Sequence, residues 1–490
     1  VRAKPVVLAA VAAASAVTAI ALSRRRRVAG PVAQLGRWSR TTRLARVGAG
    51  AGGSYAMHRA RRVFASAERA EALDTAFEIK TAEQVAEALG QMKGAAMKLG
   101  QMVSYLDQGL PEHVRSALAE LQRDAPPMSA ALAAGVIVDE LGDAPDVLFA
   151  EWDPAPIASA SIGQVHRAIT RDGRAVAVKV QYPGVAEAMA ADLDSVGLIF
   201  AGAGQLFPGL DHRAVVAELR TRLVEEIDYR NEARNQQTFW AAYRGHPTIA
   251  IPAVLPELST GRVLTTELAD GRPWPELLEW DQRERDLAAE TMYRFAFGSL
   301  YQLGIFNGDP HPGNYLFHPG GRVTFLDFGL CRRFTAEELQ PFEDMIGAMV
   351  LHPDPAEFRR IVERVGLLAP GAPFSDAEVN EYFAHFYEFI LQDGAYTLTP
   401  EYASETVRRY VDQRGPYGDI MRAANLPPSF VIIQRINLGL YALFGELHAT
   451  GNWRRLAEEL WPFVAGPPST PMGEAIAAWA AGRRRAPAAG

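Results

Sequence analysis

The stretch FNGDPHPGNYLFHPGGRVTFLDFGL, starting at Phe306, carries Asp309, Asn314 five positions on, and Asp327 thirteen beyond that. Carboxylate and amide oxygens are hard donors suited to Mg2+, and a carboxylate can equally accept a proton. Pro310, Pro312 and Gly313 exclude a helix between Asp309 and Asn314. The run Tyr315-Leu316-Phe317, the turn Pro319-Gly320-Gly321 and the run Val323 to Leu326 predict two short strands. Pairing them antiparallel brings Asp309 and Asn314, at the mouth of one, close to Asp327 at the exit of the next.

Three further groups precede this stretch. Lys179 ends the apolar run Val176-Ala177-Val178, where it is either a solvated strand lysine or a cation held over phosphates. Upstream, Ala158-Ser159-Ala160-Ser161 leads into Ile162-Gly163, and such small side chains would let backbone N–H groups approach an anion. Downstream, LVEEIDYRNEARN is helical in pattern. There Asp228 and Glu232 share a face, and Glu226 lies about 120° off it; an acidic solvated face is the plain alternative. The order is more telling than any member: small-residue loop, strand lysine, helix glutamate, Asp-x4-Asn, Asp-Phe-Gly. Protein kinases use that order, with lysine on the phosphates, glutamate holding the lysine, and Asn and Asp on Mg2+. The expected cofactors are therefore ATP and Mg2+.

The surrounding elements must position these groups. Helical periodicity runs from Thr81 to Ala125 and again from Ser129 to Leu141. A hairpin follows, Ile162 to Ala168 and Ala175 to Val180 about an Asp172-Gly173 turn. Helices are expected at Val185 to Ala203, His212 to Tyr243 and Trp280 to Leu303, strands at Val254 to Leu258 and Val263 to Glu267, and mainly helix after Thr335. This is an α+β, two-lobed plan. Its parts are a basic arm (1–67), a helical extension (68–128), a core (129–350, small lobe to about 269 and large lobe from 270) and a helical C-terminal part (351–490).

Composition adds limits. The 490 residues, 48% hydrophobic and 22% charged, suit a globular chain of more than one core. A single cysteine, Cys331, excludes an intramolecular disulfide framework and a cysteine-based zinc site. The net charge of −7 divides unevenly: residues 1–67 hold 13 Lys and Arg and no acid, leaving 37 basic against 57 acidic residues beyond. A basic arm on an acidic body calls for an anionic surface, and nothing calls for nucleic acid. Residues 5–23 are uncharged and precede Arg24 to Arg27, which predicts a marginal membrane segment with its basic flank inside; an interfacial leader and a cleaved signal peptide are the alternatives.

The chain resembles the UbiB/AarF-type atypical kinase-like family, which includes the Coq8-type mitochondrial proteins. The carriers are KGAAMKLGQMVS, with the family's K-x-G-Q at Lys98 to Gln101, the alanine-rich ASASIGQVHRA, VAVKVQYPGV, EEIDYRNEA, VLTTELADG, GDPHPGN and LDFG. They cover roughly residues 85–345. The resemblance implies a protein-kinase-like fold in which the K-x-G-Q helices close over the site, so that Lys98 and Gln101 reach the nucleotide, Glu226 and Asp228 hold that lid, and Glu232 partners Lys179. Glu267 to Ala269 would be the hinge on adenine, Asp309 the catalytic carboxylate, and Asn314 and Asp327 the metal ligands. It further implies ATP hydrolysis in support of ubiquinone or related isoprenoid lipids, with quinone-biosynthesis proteins as partners; the Arg24 to Arg27 flank, kept inside, sets the body on the cytoplasmic face of a membrane. Ser159 replaces an alanine of the family loop, the segment 461–490 does not read as the paired membrane helices of many bacterial members, and no Ala-Pro-Glu follows Asp-Phe-Gly. A phosphotransferase on a protein or small molecule and a nucleotide-sensing pseudokinase are the rival expectations.

Overall fold

The computed structural model describes residues 128–160, 162–185, 227–411, 415–425 and 427–485. The arm, segment 5–23, Lys98, Gln101, Ser161 and Glu226 lie outside the described residues.

The small lobe is one antiparallel sheet of order β1-β2-β3-β5: β1 Phe149–Ala160, β2 Gly163–Thr170, β3 Ala175–Gln181 and β5 Val263–Glu267. Helix α1, Ala130–Leu141, covers one face, its start fixed by the Ser129 side chain and its end by left-handed Gly142. Strand alternation decides what points where. Val176, Val178 and Val180 are fully buried and form one cluster with Val136 and Ile137 of α1. Burying a valine fully is worth about 1.5–3 kcal/mol, so the register of β3 is firmly held. Lys179 is thereby turned to the opposite face, where helix α2, Tyr229–Tyr243, lies.

The large lobe is built around α3, Gln282–Leu303, capped by Asp281 at its start and by left-handed Gly304 at its end. Beside it lies a sheet of order β4-β8-β7, with β4 (Ile249–Ala250) parallel to β8 (Arg322–Phe325) and β8 antiparallel to β7 (Tyr315–His318). A second ribbon pairs β6, Ile305–Asn307, with β9, Cys331–Arg333. Helices α4 (Ala336–Ile346), α5 (Pro355–Arg364), α6 (Asp376–Ala384), α7 (Pro400–Val411), α8 (Pro428–Leu447), α9 (Trp453–Leu460) and α10 (Pro471–Arg485) complete the lobe. The α+β, two-lobed, kinase-like plan is what the chain adopts.

Three local expectations are corrected. Ala158, Ser159 and Ala160 are the end of β1, paired with Val165, Gln164 and Gly163, rather than a free loop. Val254 to Leu258 is not a strand, because Pro256 opens a 3-10 turn and Val254 makes only an isolated bridge. Helix does not run unbroken to Tyr243: Asp228 has extended geometry (φ −97°, ψ 99°) and caps α2, its carboxylate accepting from Arg230 N–H. Asp228 and Glu232 are therefore not two members of one helical face.

Candidate functional site

Lys179, Glu232 and Asp327 converge. The Lys179 ammonium lies 2.8 Å from both Glu232 carboxylate oxygens and 3.4 Å from Asp327 Oδ2. It also stands 5.0 Å over the Tyr229 ring. Burial pulls its pKa down, but the Asp327 and Glu232 carboxylates outweigh that and hold it well above the ordinary lysine value. Lys179 is thus a fixed cation at the cleft, and the solvated-strand alternative is overturned.

Asp327 is aimed by its neighbours. Phe328 is fully buried between α2 and α3, its ring 5.0 Å from Phe239 and 6.5 Å from Phe295. Gly329 N–H donates to Asp327 Oδ1 at 2.9 Å. Asn235, three residues past Glu232 on α2, donates to the Phe328 carbonyl at 3.0 Å. One helix therefore holds both Lys179 and the Asp-Phe-Gly backbone.

The remaining groups sit on the turn into β7. A 3-10 turn spans Pro312–Asn314, introduced by the His311 side chain. Asn314 Nδ2 donates to the Asp309 carbonyl at 3.1 Å and to Asp309 Oδ2 at 3.2 Å, so its Oδ1 has no protein partner among the described residues. Leu326 N–H donates to the Asn314 carbonyl at 2.9 Å, joining this turn to the exit of β8. Asn307 completes the tie: its Nδ2 donates to the Asp327 carbonyl at 2.9 Å and its Oδ1 accepts from Asp309 N–H at 3.3 Å. Pro310 rests on α8 at Gly439, where a Cβ would stand 2.4 Å from the proline ring. Burial, with Asp309 and Asp327 close by, raises the Tyr315 phenol pKa well above its usual value.

The site meets the requirements of Mg2+. Among the described residues no cluster of three or more His, Cys, Asp or Glu forms a metal cage. Mg2+ binds through one or two protein oxygens with phosphate and water supplying the rest, and Asp327 with Asn314 Oδ1 has that character. Gly163 opens β2, and its absent side chain matters: a Cβ there would meet the Val180 carbonyl at 2.3 Å and the Tyr229 hydroxyl at 2.8 Å. Glu267 ends β5, with its exposed carboxylate accepting from Ala253 N–H at 3.1 Å, and Ala269 follows on the connection between lobes.

Asn235, Asn307 and Tyr229 were not foreseen. Asn235 had a signal, since it is three residues beyond Glu232 and so on the same helical face. Asn307 had none beyond proximity to Asp309.

A model of the ABC1 atypical kinase-like domain matches residues 120–360. An uncharacterized aarF domain-containing protein kinase of the Arabidopsis thaliana chloroplast is 35% identical over 62% of this chain and 43% of its own length. The mitochondrial atypical kinase COQ8 of Saccharomyces cerevisiae is 27% identical over 78% of this chain and 76% of its own. The Mycobacterium tuberculosis protein Rv3197, solved as a complex with erythromycin, superposes with a TM-score of 0.60 at 33% identity, covering 81% of this chain and 100% of that one. The chain spans about half the length of several curated relatives, 43% of the Arabidopsis protein and 50% of the Caenorhabditis elegans one.

Proposed function

Because this chain belongs to the UbiB/AarF/Coq8 family of atypical kinase-like proteins, we propose that its cleft binds Mg·ATP and hydrolyses it, in support of isoprenoid-quinone or related lipid metabolism at a membrane. The observation that carries this reading is the Lys179–Glu232 pair 3.4 Å from Asp327 with Phe328 buried behind it. Lys179 would contact the phosphates and Glu232 would keep it extended. Asp327 and Asn314 would hold Mg2+, which when bound neutralises charge on the β- and γ-phosphates. Asp309, tethered by Asn314, would orient an attacking water and accept its proton. The hairpin tip at Ala158, Ser159, Ala160 and Ser161 would close over the phosphates, and the backbone from Glu267 to Ala269 would receive adenine.

Water as acceptor, rather than a docked peptide, is favoured by the route after Gly329. The chain enters β9 at Cys331 and α4 at Ala336, with no long segment between. Lys98, Gln101 and Glu226 keep their proposed place in a lid over the site. Asp228 fits that role less well, since its carboxylate is spent on capping α2. The membrane part of the proposal rests on the basic arm; among the described residues no helix is long and apolar enough to cross a bilayer.

Thermal unfolding with ATP, with and without Mg2+, tests the reading. A ligand at a hundred times its dissociation constant adds about 2.7 kcal/mol of stability, a readily measured shift. The parent chain should be stabilised only when Mg2+ is present, and Asp327→Asn should abolish the effect. An unchanged shift in that variant removes Asp327 from the site.

A further inference from the structure

Helix α2 is held at both ends, and its far end is held by residues from the other end of the chain. The last carbonyls of a helix have no partners within it. On α2 two of them are taken by Arg483 of α10: Nη1 donates to the Ala242 carbonyl at 2.5 Å and Nη2 to the Ala241 carbonyl at 3.0 Å. A guanidinium there also opposes the negative end of the helix dipole. Trp479, one turn earlier on α10, stacks under the guanidinium at 5.1 Å and meets the His246 ring edge-on at 4.7 Å, just beyond α2.

Helix α10 is itself rooted in the large lobe. Met472 is buried, and its sulfur accepts from Thr291 Oγ1 of α3 at 3.2 Å. Thr470, at its start, donates to Glu290 at 2.6 Å and accepts from Arg294 at 3.1 Å. Gly473 fits because a Cβ would meet Glu459 at 2.6 Å and Arg294 at 2.9 Å. A fixed helix thus grips the end of α2, and α2 carries Glu232, Asn235 and Phe239 into the site. Ten residues at about 1.5 Å each put the grip about 15 Å from Glu232, a span over which a regular helix moves as one body.

We propose that Arg483 and Trp479 are positioning residues for the Lys179 site, acting through α2 to set where Glu232 stands. The proposal rests on the nucleotide-binding reading of that site. In the plainer alternative, α10 is stapled onto the surface and nothing is transmitted.

The test uses the full chain as Arg483→Ala, Arg483→Lys, Trp479→Ala and Lys179→Ala, followed by amide hydrogen exchange without nucleotide and by Mg·ATP affinity. Arg483→Ala should speed exchange at residues 229–235 as well as at 239–243, and should weaken Mg·ATP binding roughly twofold to thirtyfold, the usual scale for coupling through a network. Arg483→Lys should recover part of both effects, since an ammonium can serve one of the two carbonyls well. Faster exchange confined to 239–243, with 229–235 unchanged, overturns the proposal whatever the affinity does. Unchanged affinity in Arg483→Ala, where Lys179→Ala loses binding, overturns it as well. If Lys179→Ala binds Mg·ATP as the parent does, the nucleotide reading of this site fails, and exchange at 229–235 still decides whether α10 positions α2. Should Arg483→Ala not fold, Arg483→Lys and Trp479→Ala carry the same two measurements.

Discussion

Replacing Lys179 by methionine keeps the length of the side chain and removes the cation that two carboxylates share. Glu232, 6% exposed, would then face Asp327, 30% exposed, without the ammonium that bridges them. Removing one partner of a fully buried pair costs about 3–5 kcal/mol. Lys179 is itself 17% exposed and borders the cleft, so water re-entry should reduce the cost to about 2–3 kcal/mol. Glu232→Gln is milder, about 1–2 kcal/mol, because Lys179 keeps Asp327 and an amide oxygen still accepts. The double variant removes both members of the pair, so it should cost about 2–3 kcal/mol instead of the sum, a coupling of about 1–2 kcal/mol. Urea unfolding of the four proteins without nucleotide measures it by linear extrapolation. Two results refute the reasoning. One is a coupling below about 0.5 kcal/mol, the scatter expected of independent sites. The other is a Lys179→Met protein more stable than its parent, which would mean that the three charges repel or strain more than they bind.

Three other outcomes are expected. The His246 ring is held neutral, its pKa pushed down to about 4 by burial and then by Arg294, while its Nδ1 accepts from Thr248 and Ile249 N–H. The folded value lies below the unfolded one, so this stability is complete above pH about 6.5 and is lost as pH falls toward 4, by at most about 3 kcal/mol; His246→Gln should flatten that acid slope in denaturation curves taken across the range. Gly163→Ala forces a Cβ to 2.3 Å from the Val180 carbonyl, and overpacking of this kind costs about 1–3 kcal/mol; a midpoint equal to the parent's would show that the hairpin yields freely. Glu459→Gln removes a carboxylate 2.7 Å from Arg294, both under a tenth exposed; because Glu290 remains and the amide still accepts, about 2 kcal/mol should be lost in chemical denaturation, below the full cost of a broken buried pair.

The local geometry of the site was open to reading from sequence because it is built by neighbours. Asp309, Asn314 and Asp327 are brought together by a four-residue pairing, Tyr315 opposite Phe325 through His318 opposite Arg322, around a Pro-Gly-Gly turn. The role of Lys179 was not fixed by its own strand, since its partners lie 53 and 148 residues away. Strand β1 escaped notice because it is mostly exposed and interrupted by Pro154 and Pro156, so no two-residue alternation marks it. The break at Asp228 was hidden for the opposite reason: helical periodicity continues across it, and only the turn of the Asp228 side chain back to Arg230 N–H ends one element and starts the next. Arg483 reaches α2 across more than 240 residues, a distance at which sequence pattern carries no pairing information.

The large-lobe half of the site is assembled without help from a modified loop. After Gly329 the chain pairs at once with the strand that leads into Asp309, Cys331 opposite Asn307 and Arg333 opposite Ile305. Gly308 N–H donates to the Leu330 carbonyl at 2.6 Å, and Phe334 N–H to the Gly304 carbonyl at 2.8 Å. The Asn307 side chain then spans both loops, donating to the Asp327 carbonyl and accepting from Asp309 N–H. Asp309, Asn314 and Asp327 are therefore fixed relative to one another before any ligand arrives, which is the condition for electrostatic preorganisation. Lys179 on β3 meets both Glu232 on α2 and Asp327 of the large lobe, and Asn235 ties α2 to the Phe328 carbonyl, so α2 links the two halves of the site. Control of such a site would be exerted most directly by moving α2. A perturbation at the α10 end of that helix should consequently alter the Lys179–Glu232 pair while leaving the Asn307 tie in place, and exchange at the Asp309 amide, which donates to Asn307 Oδ1, should be unchanged where exchange at 229–235 is not.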